Sequence, residues 1–369
     1  MILSYSLPTR LFLRALVTAI ALVLALISIV PLSLSIFLAG FRRQPRAALL
    51  PSRRRARSDP PSVYFDPSLG KHATATVNGV EIYYVWSGDA DKPLMLLLHG
   101  FPECWYSWRH QLQCPELQAK YRLVAVDMRG YGRSSKPSYF PGAYHSQLVA
   151  EDMHHFIRAL GYDSCVVAAH DWGGHVAYSL ARHFPESVDR LIVLDLPEER
   201  VMLPFILFNP SQIIRSLYIA FFQLPVLPEF MFSIYDYEAV NAVFRGKALG
   251  VTNADRISDE DMHVYKWAIS RPEALNGSLN YYRNVLSLIA PIQPFHRRAV
   301  DCYPMPTLIL WGENDGVLDS RMAGEHKNSG LFDDVNVHVI ANSSHWVQQD
   351  EPDIVNRHIL SWLVSKAMK

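Results

Sequence analysis

The sequence is poor in the features that mark metal, redox or nucleic-acid proteins. Its 35 Lys and Arg are matched by 35 Asp and Glu, so no excess charge is left to hold a polyanion. Neither a basic face nor a nucleic-acid module is visible, and no nucleic-acid partner is expected. Four cysteines, Cys104, Cys114, Cys165 and Cys302, are scattered without CxxC or zinc-type spacing. A reduced compartment suits them. The 15 histidines include no HExxH or comparable cluster, so no metal is expected. Gly130 and Gly132 lack the third glycine of a dinucleotide fingerprint, and no cofactor is expected. There is no internal repeat and no low-complexity tract. What the chain has is length and apolar content: 369 residues, 50% hydrophobic, enough for a large core in one large or two ordinary domains.

Charge is also missing locally. Residues 15–41 carry no Asp, Glu, Lys or Arg, a run longer than the ~20 residues that cross a bilayer and longer than the ~7–15 of a signal peptide's apolar region. A transmembrane anchor is expected there, after a short segment at 1–14. Pro31 is compatible with a kinked span. Two arginines, Arg10 and Arg14, precede the run, while Arg42, Arg43, Arg46, Arg53, Arg54, Arg55 and Arg57 follow it. The positive-inside rule then puts the globular part in the cytosol, on an internal membrane such as the endoplasmic reticulum. Two sequons, at Asn276 and Asn342, would be used only if that part were lumenal. Residues 42–62, rich in Arg, Pro and Ser, are expected to be a tether, with room for contact to anionic headgroups.

From residue 63 short apolar runs alternate with amphipathic stretches. Strands are expected at 81–86, 94–98, 123–126, 165–169, 191–194, 307–311 and 335–340, and helices at 147–160, 174–183, 320–329 and 353–365. This rhythm predicts a mostly parallel sheet with helices on both faces. It stops between 198 and 300, where the pattern is helical and aromatic-rich. The expected organisation is a core in two parts, 63–197 and 301–369, with 198–300 as a helical lid over the strands' C-terminal edge, where ligands bind in open α/β folds.

One more absence is the most informative. In His170-Asp-Trp-Gly-Gly174, a strand–turn–helix context of the nucleophile-elbow kind, a carboxylate stands where a hydrolase usually carries serine. Attack on an sp³ carbon by serine would leave a stable ether, whereas Asp171 would leave an ester that water can reopen. Such an ester needs a base, a group to orient the base, and donors for an oxyanion. His345, after the last expected strand, is the candidate base. Asp315, after the strand before it, gives the order Asp171, Asp315, His345 and is preferred as orienting acid because its loop geometry suits that triad order; Asp195, another strand-end carboxylate, stays open as the alternative. Backbone N–H groups of Phe101, in the turn after 94–98, and of Trp172 would form the oxyanion hole. Tyr282 and Tyr218 are candidate donors to a departing alkoxide; aromatic packing explains them equally well from pattern alone.

Together these residues resemble the epoxide hydrolases of the α/β-hydrolase superfamily. The resemblance runs from about residue 66 to 362 and rests on His99-Gly-Phe-Pro-Glu103, Trp105-Tyr-Ser-Trp-Arg109, Asp127-Met-Arg-Gly-Tyr-Gly132, His170-Asp-Trp-Gly173, Tyr281-Tyr-Arg-Asn284 and Ser344-His-Trp346. With the apolar N-terminal span and Asp66-Pro-Ser-Leu-Gly70, it is strongest to the membrane-anchored animal branch, epoxide hydrolases 3 and 4. It implies an α/β-hydrolase fold, Asp171 as nucleophile, His345 as base, Asp315 as its partner, and Tyr218 and Tyr282 as ring-oxygen donors. Tyr281 is a rival for Tyr282, and Cys104 departs from the usual residue after the Gly-Phe-Pro-Glu turn. Trp105, Trp346 and Phe222 are expected to line the substrate pocket. The expected reaction is hydrolysis of an epoxide to a vicinal diol with water as the only co-reactant. Hydrophobic epoxides, including fatty-acid epoxides, are the expected substrates. Haloalkane dehalogenation by the same Asp and His, and a non-catalytic membrane-anchored lipid binder, are the alternatives.

Overall fold

The computed structural model describes residues 59–137, 141–284 and 299–367. The expected anchor at 15–41, most of the 42–62 tether, and residues 285–298 of the expected lid lie outside these described residues. Among the described residues no single helix is long and apolar enough to cross a membrane.

Eight strands form one sheet: β1 (Lys71–Val77), β2 (Val80–Ser87), β3 (Leu94–Leu98), β4 (Arg122–Val126), β5 (Cys165–His170), β6 (Val188–Leu194), β7 (Thr307–Gly312) and β8 (Val335–Ile340). Their spatial order is β1-β2-β4-β3-β5-β6-β7-β8. The first two pairings are antiparallel and the others parallel. In β3 and β5 every residue is buried, which is why both read as unbroken apolar runs: a parallel strand covered on both faces has no solvent side to alternate with.

The chain turns one way from β3 to β4 and the other way from β3 to β5. This reversal opens a crevice at the carboxyl ends of β3 and β5, the ligand position in an open α/β sheet. Register fixes what meets there, because Leu98 of β3 pairs with Ala169 of β5, so the turns after both strands face each other.

The helices that matter here are α1 (Ser146–Ala159), α2 (Trp172–His183), α3 (Glu199–Phe208), α4 (Pro210–Arg215), α5 (Leu217–Phe222), α6 (Leu227–Ser233), α7 (Glu238–Arg245), α8 (Asp259–Ile269), α9 (Ala274–Arg283), α10 (Arg321–Glu325) and α11 (Pro352–Ala367). The described run α3–α9 interrupts the strand succession between β6 and β7. Its helices are short because the sequence stops them: Pro210 opens α4, a proline follows Leu227 at the start of α6, and Val226 and Tyr237 ahead of α6 and α7 have positive φ.

The sequence pattern missed β1. Its residues, Lys-His-Ala-Thr-Ala-Thr-Val, put only Val77 in the buried class, so there is little apolar signal. The legible sign was Asn78-Gly79, both at positive φ (48° and 75°), the two-residue hairpin signature that ties β1 to β2.

Candidate active site

Asp171 sits between β5 and α2 with φ 49° and ψ −123°, a backbone region that ordinary residues avoid and that surrounding structure must enforce. Two glycines make the enforcement possible. A Cβ on Gly173 would lie 2.4 Å from the Leu98 carbonyl oxygen, and one on Gly100 would lie 2.5 Å from both Asp171 Cβ and Oδ1. The elbow and the β3 turn therefore touch, and only hydrogen side chains fit at the contact.

The turn after β3 delivers the Phe101 N–H to Asp171 Oδ1 at 2.9 Å. On the other carboxyl oxygen, Oδ2 lies 3.6 Å from His345 Nε2, and His345 Nδ1 lies 2.8 Å from Asp315 Oδ2. The second Asp315 oxygen accepts from Val317 N (2.7 Å) and Leu318 N (2.8 Å), so the acid is fixed by its own loop. All three side chains are buried. Burial works against an ionised Asp171, but His345, the neighbouring His170 and the Phe101 N–H outweigh it and hold the carboxyl below its usual range. Burial likewise pulls His345 down, yet the Asp315 and Asp171 carboxylates raise it well above the ordinary imidazole value.

Asp195, at the end of β6 with φ 50°, is within reach of the same pair but is bonded differently. Its Oδ1 accepts from Gly312 N at 2.7 Å, while Oδ2 is buried without a hydrogen-bond partner. Burial and the nearby Asp315 carboxylate push its acid well up. Asp195, Asp315 and His345 bring one ligand atom each within 4.8 Å of one another, but His345 Nδ1 and Asp315 Oδ2 already satisfy each other.

The two adjacent tyrosines part company. Tyr281 donates its hydroxyl to the Arg129 carbonyl at 2.8 Å. Tyr282 instead packs edge-on against Phe101 (5.2 Å between ring centres), Trp172 (4.8 Å), Phe222 (4.9 Å) and Tyr218 (5.7 Å). Burial raises both Tyr282 and Tyr218 well above the usual phenol value, so both keep a proton to donate. Gln223, just after α5, bonds the Tyr282 carbonyl at 2.8 Å and ties the two tyrosine helices together. Phe222 lies in this aromatic wall, touching Phe101 and Phe232.

Trp346 rests against His345 and His170, with its indole N–H on the Leu249 carbonyl, and so braces the base. Trp105 goes elsewhere, which corrects its expected place in the pocket. Its backbone N–H is captured by Asp127 Oδ1 at 2.9 Å, and its ring packs among Tyr64, His72 and Tyr106 in the core beside β1 and β2. The same Asp127 takes Arg133 N on Oδ2, which gives the Met128-to-Arg133 turn a structural purpose in place of a nucleotide one.

Sequence reasoning overlooked the layer under the elbow. His170 Nδ1 lies 2.8 Å from Glu103 Oε2 and its Nε2 lies 2.8 Å from the His345 carbonyl. Its imidazole pKa is raised: burial opposes the charge, and the Glu103 carboxylate beside it sustains it. Glu103 also accepts from Gly100 N, Gln348 and Gln349. One buried ion pair thus joins the β3 turn, the elbow and the His345 loop. The signal was present in the motifs, since Glu103 ends the His99–Glu103 motif and His170 opens the His170–Gly173 motif.

The chain is similar to known proteins. Residues 93–352 match the family described as alpha/beta hydrolase fold. The chain is 41% identical over 321 residues to epoxide hydrolase 4 of Mus musculus, covering 86% of each protein. It is 36% identical to epoxide hydrolase 3 of Xenopus tropicalis, covering 93% of this chain and 90% of that one. Among solved structures, the Bacillus megaterium epoxide hydrolase in complex with an inhibitor superposes with a TM-score of 0.70 at 26% identity, over 79% of this chain and 99% of the other.

Proposed function

This chain belongs to the α/β-hydrolase fold family and, within it, to the epoxide hydrolases, and we propose on that premise that it opens epoxides to vicinal diols through an ester on Asp171. The observation that carries the proposal is a carboxylate at the elbow, bonded to the Phe101 N–H and 3.6 Å from His345, with Tyr282 packed on Phe101 and Trp172 and Tyr218 packed on Tyr282. Asp171 attacks a ring carbon while Tyr218 and Tyr282 donate to the oxygen that leaves as alkoxide. Ester formation removes the Asp171 charge that helped keep His345 protonated. His345 then loses its proton more easily and takes one from water, with Asp315 fixing its tautomer. Water adds to the ester carbonyl, and the resulting oxyanion is held by the N–H groups of Phe101 and Trp172 before Asp171 is released. A departing halide would call for N–H donors, so the phenols favour an epoxide over a haloalkane.

One turnover in heavy-oxygen water tests the scheme: the label should appear in the Asp171 carboxyl group and the diol's new oxygen should come from the protein. Label passing directly into diol, or halide released from haloalkanes with no diol from epoxides, defeats it. Turnover with intact chemistry also separates this enzyme from a lipid-binding protein on the same fold.

The proposed setting is membrane-bound. The uncharged run at 15–41, with the arginine excess after it, supports a single span with the catalytic domain in the cytosol, on the endoplasmic reticulum. An anchored enzyme with an aromatic pocket wall suits hydrophobic epoxides, fatty-acid epoxides among them.

A further inference from the structure

We propose that the exposed apolar residues of α3 and α4 lie on a lipid surface, so that the lid itself, and not only the N-terminal span, contacts the bilayer. The helix α4 is built inside out. Its buried residue is Gln212, while Ile213 and Ile214 face outward, Ile214 at 69% exposure. Gln212 is held by polar bonds on the inner side: its amide donates to the Val317 carbonyl (3.0 Å) and accepts from Asp319 N (2.9 Å). Arg215 adds a bond to the Asp315 carbonyl at 2.7 Å. The polar side of α4 therefore grips the loop of the triad acid, and the apolar side is left outside. On α3, Leu203 and Leu207 are one helical turn apart, and Leu207 is 74% exposed and Phe208 82%.

Water is a poor solvent for that face, since large exposed apolar patches mark protein or membrane contacts. Of the ten large apolar side chains exposed among the described residues, seven fall between 203 and 230. From 201 to 214 the stretch carries no charged residue at all, so nothing along it opposes contact with a bilayer. Geometry then selects a surface position over a span. The stretches Glu199–Phe208 and Pro210–Phe222 are apolar enough for a membrane together, but they meet at 109° and neither is long enough to cross. Apolar helices of that length lie in the headgroup boundary. Reach is sufficient, because residues 42–58, if extended, span about 60 Å at roughly 3.3–3.6 Å per residue. α5, which carries Tyr218 and Phe222, follows α4 directly, so the docked face adjoins the aromatic wall of the site.

This inference rests on the membrane reading above, and the test separates the two. Full-length protein with Phe208→Cys in a Cys302→Ser background, whose other cysteines are buried, is labelled with an environment-sensitive fluorophore. It is reconstituted into phosphatidylcholine vesicles containing phosphatidylserine, with or without brominated acyl chains. Ile214→Cys serves as a second position, and Val364→Cys on α11, 46% exposed, as the control. The expected result is flotation with the vesicles, with bromine quenching of both lid labels and none at the control. Flotation without lid quenching overturns the docking and leaves the anchor standing. A blue shift without quenching also overturns it, because the face is then covered by a second copy or by the chain's own apolar run. No flotation overturns both readings. In the same vesicles, Leu207→Asp with Phe208→Asp should raise the ratio of KM for a vesicle-borne epoxide to KM for a water-borne one about tenfold, the equivalent of one lost 1.4 kcal/mol contact. An unchanged ratio counts against the proposal.

Discussion

At the residue scale, the coupling of Asp171 to His345 decides how the two half-reactions respond to acid. Attack requires an ionised Asp171, whose carboxyl is held below its usual range, so ester formation should survive well into acid. Ester hydrolysis requires neutral His345, which Asp315 still supports as a cation once the Asp171 charge is gone. Lowering the pH toward about 5 should therefore slow hydrolysis before attack, and rapid-quench intact-mass spectrometry should find the ester building up in the wild-type enzyme. His345→Gln should show the same adduct at all pH values. Equal acid sensitivity of both steps contradicts the coupling. The tyrosines give a second expectation: Tyr282→Phe or Tyr218→Phe should each slow ester formation about 100-fold, within the range for loss of a proton donor, and leave ester hydrolysis nearly as it was.

Asp195 yields a stability prediction of definite sign. Its folded-state acid is raised above the ordinary 3.8. It thus contributes stability that is fully present below pH 3.8 and lost as pH rises through the folded value, because the unfolded chain can ionise and the buried group cannot. Asp195→Asn removes that dependence. Melting temperatures of mutant and wild type should converge at acid pH, with the mutant ahead at neutral pH. In sequence the choice between Asp195 and Asp315 stayed open, with loop position favouring Asp315. Two strand-end carboxylates look alike until the 2.8 Å bond from His345 to Asp315 is seen.

At the scale of elements, the legible parts of the fold were those with a buried periodic pattern. β3, β5 and β7 are buried throughout, and the turns after them carry Phe101, Asp171 and Asp315 in the order the sequence implies. What escaped were parts held by polar contacts: β1, with its exposed Thr and Lys, and the Trp105 turn, whose direction is set by Asp127 and not by hydrophobicity. The Glu103–His170 pair escaped for a related reason, since its meaning is a contact between loops 67 residues apart. The elbow's packing is open to test. In Gly173→Ala the new methyl meets backbone, the Leu98 carbonyl, which cannot swing aside. Overpacking of this kind should destabilise the protein by about 1–3 kcal/mol, visible as a lower urea midpoint, and should impair ester formation by separating the elbow from the Phe101 turn.

At the scale of the whole molecule, the proposed orientation can be read from two asparagines. Asn342 is exposed and Asn276 half-buried, and both precede the x-Ser of an acceptor sequon. In the lumen, Asn342 at least would be open to glycosylation. The consequence would be chemical, because Asn342 is three residues before His345 and its backbone N–H caps Glu313, so a glycan there would crowd the mouth of the triad. A cytosolic domain avoids the conflict and agrees with the seven arginines after the apolar run. The expectation is that the protein, expressed in cells with an endoplasmic reticulum, keeps its mobility after endoglycosidase treatment, and that protease added to sealed microsomes removes the catalytic domain. A glycosidase-sensitive shift together with protease protection would reverse the orientation. It would also move the exposed α3–α4 residues to the lumenal leaflet.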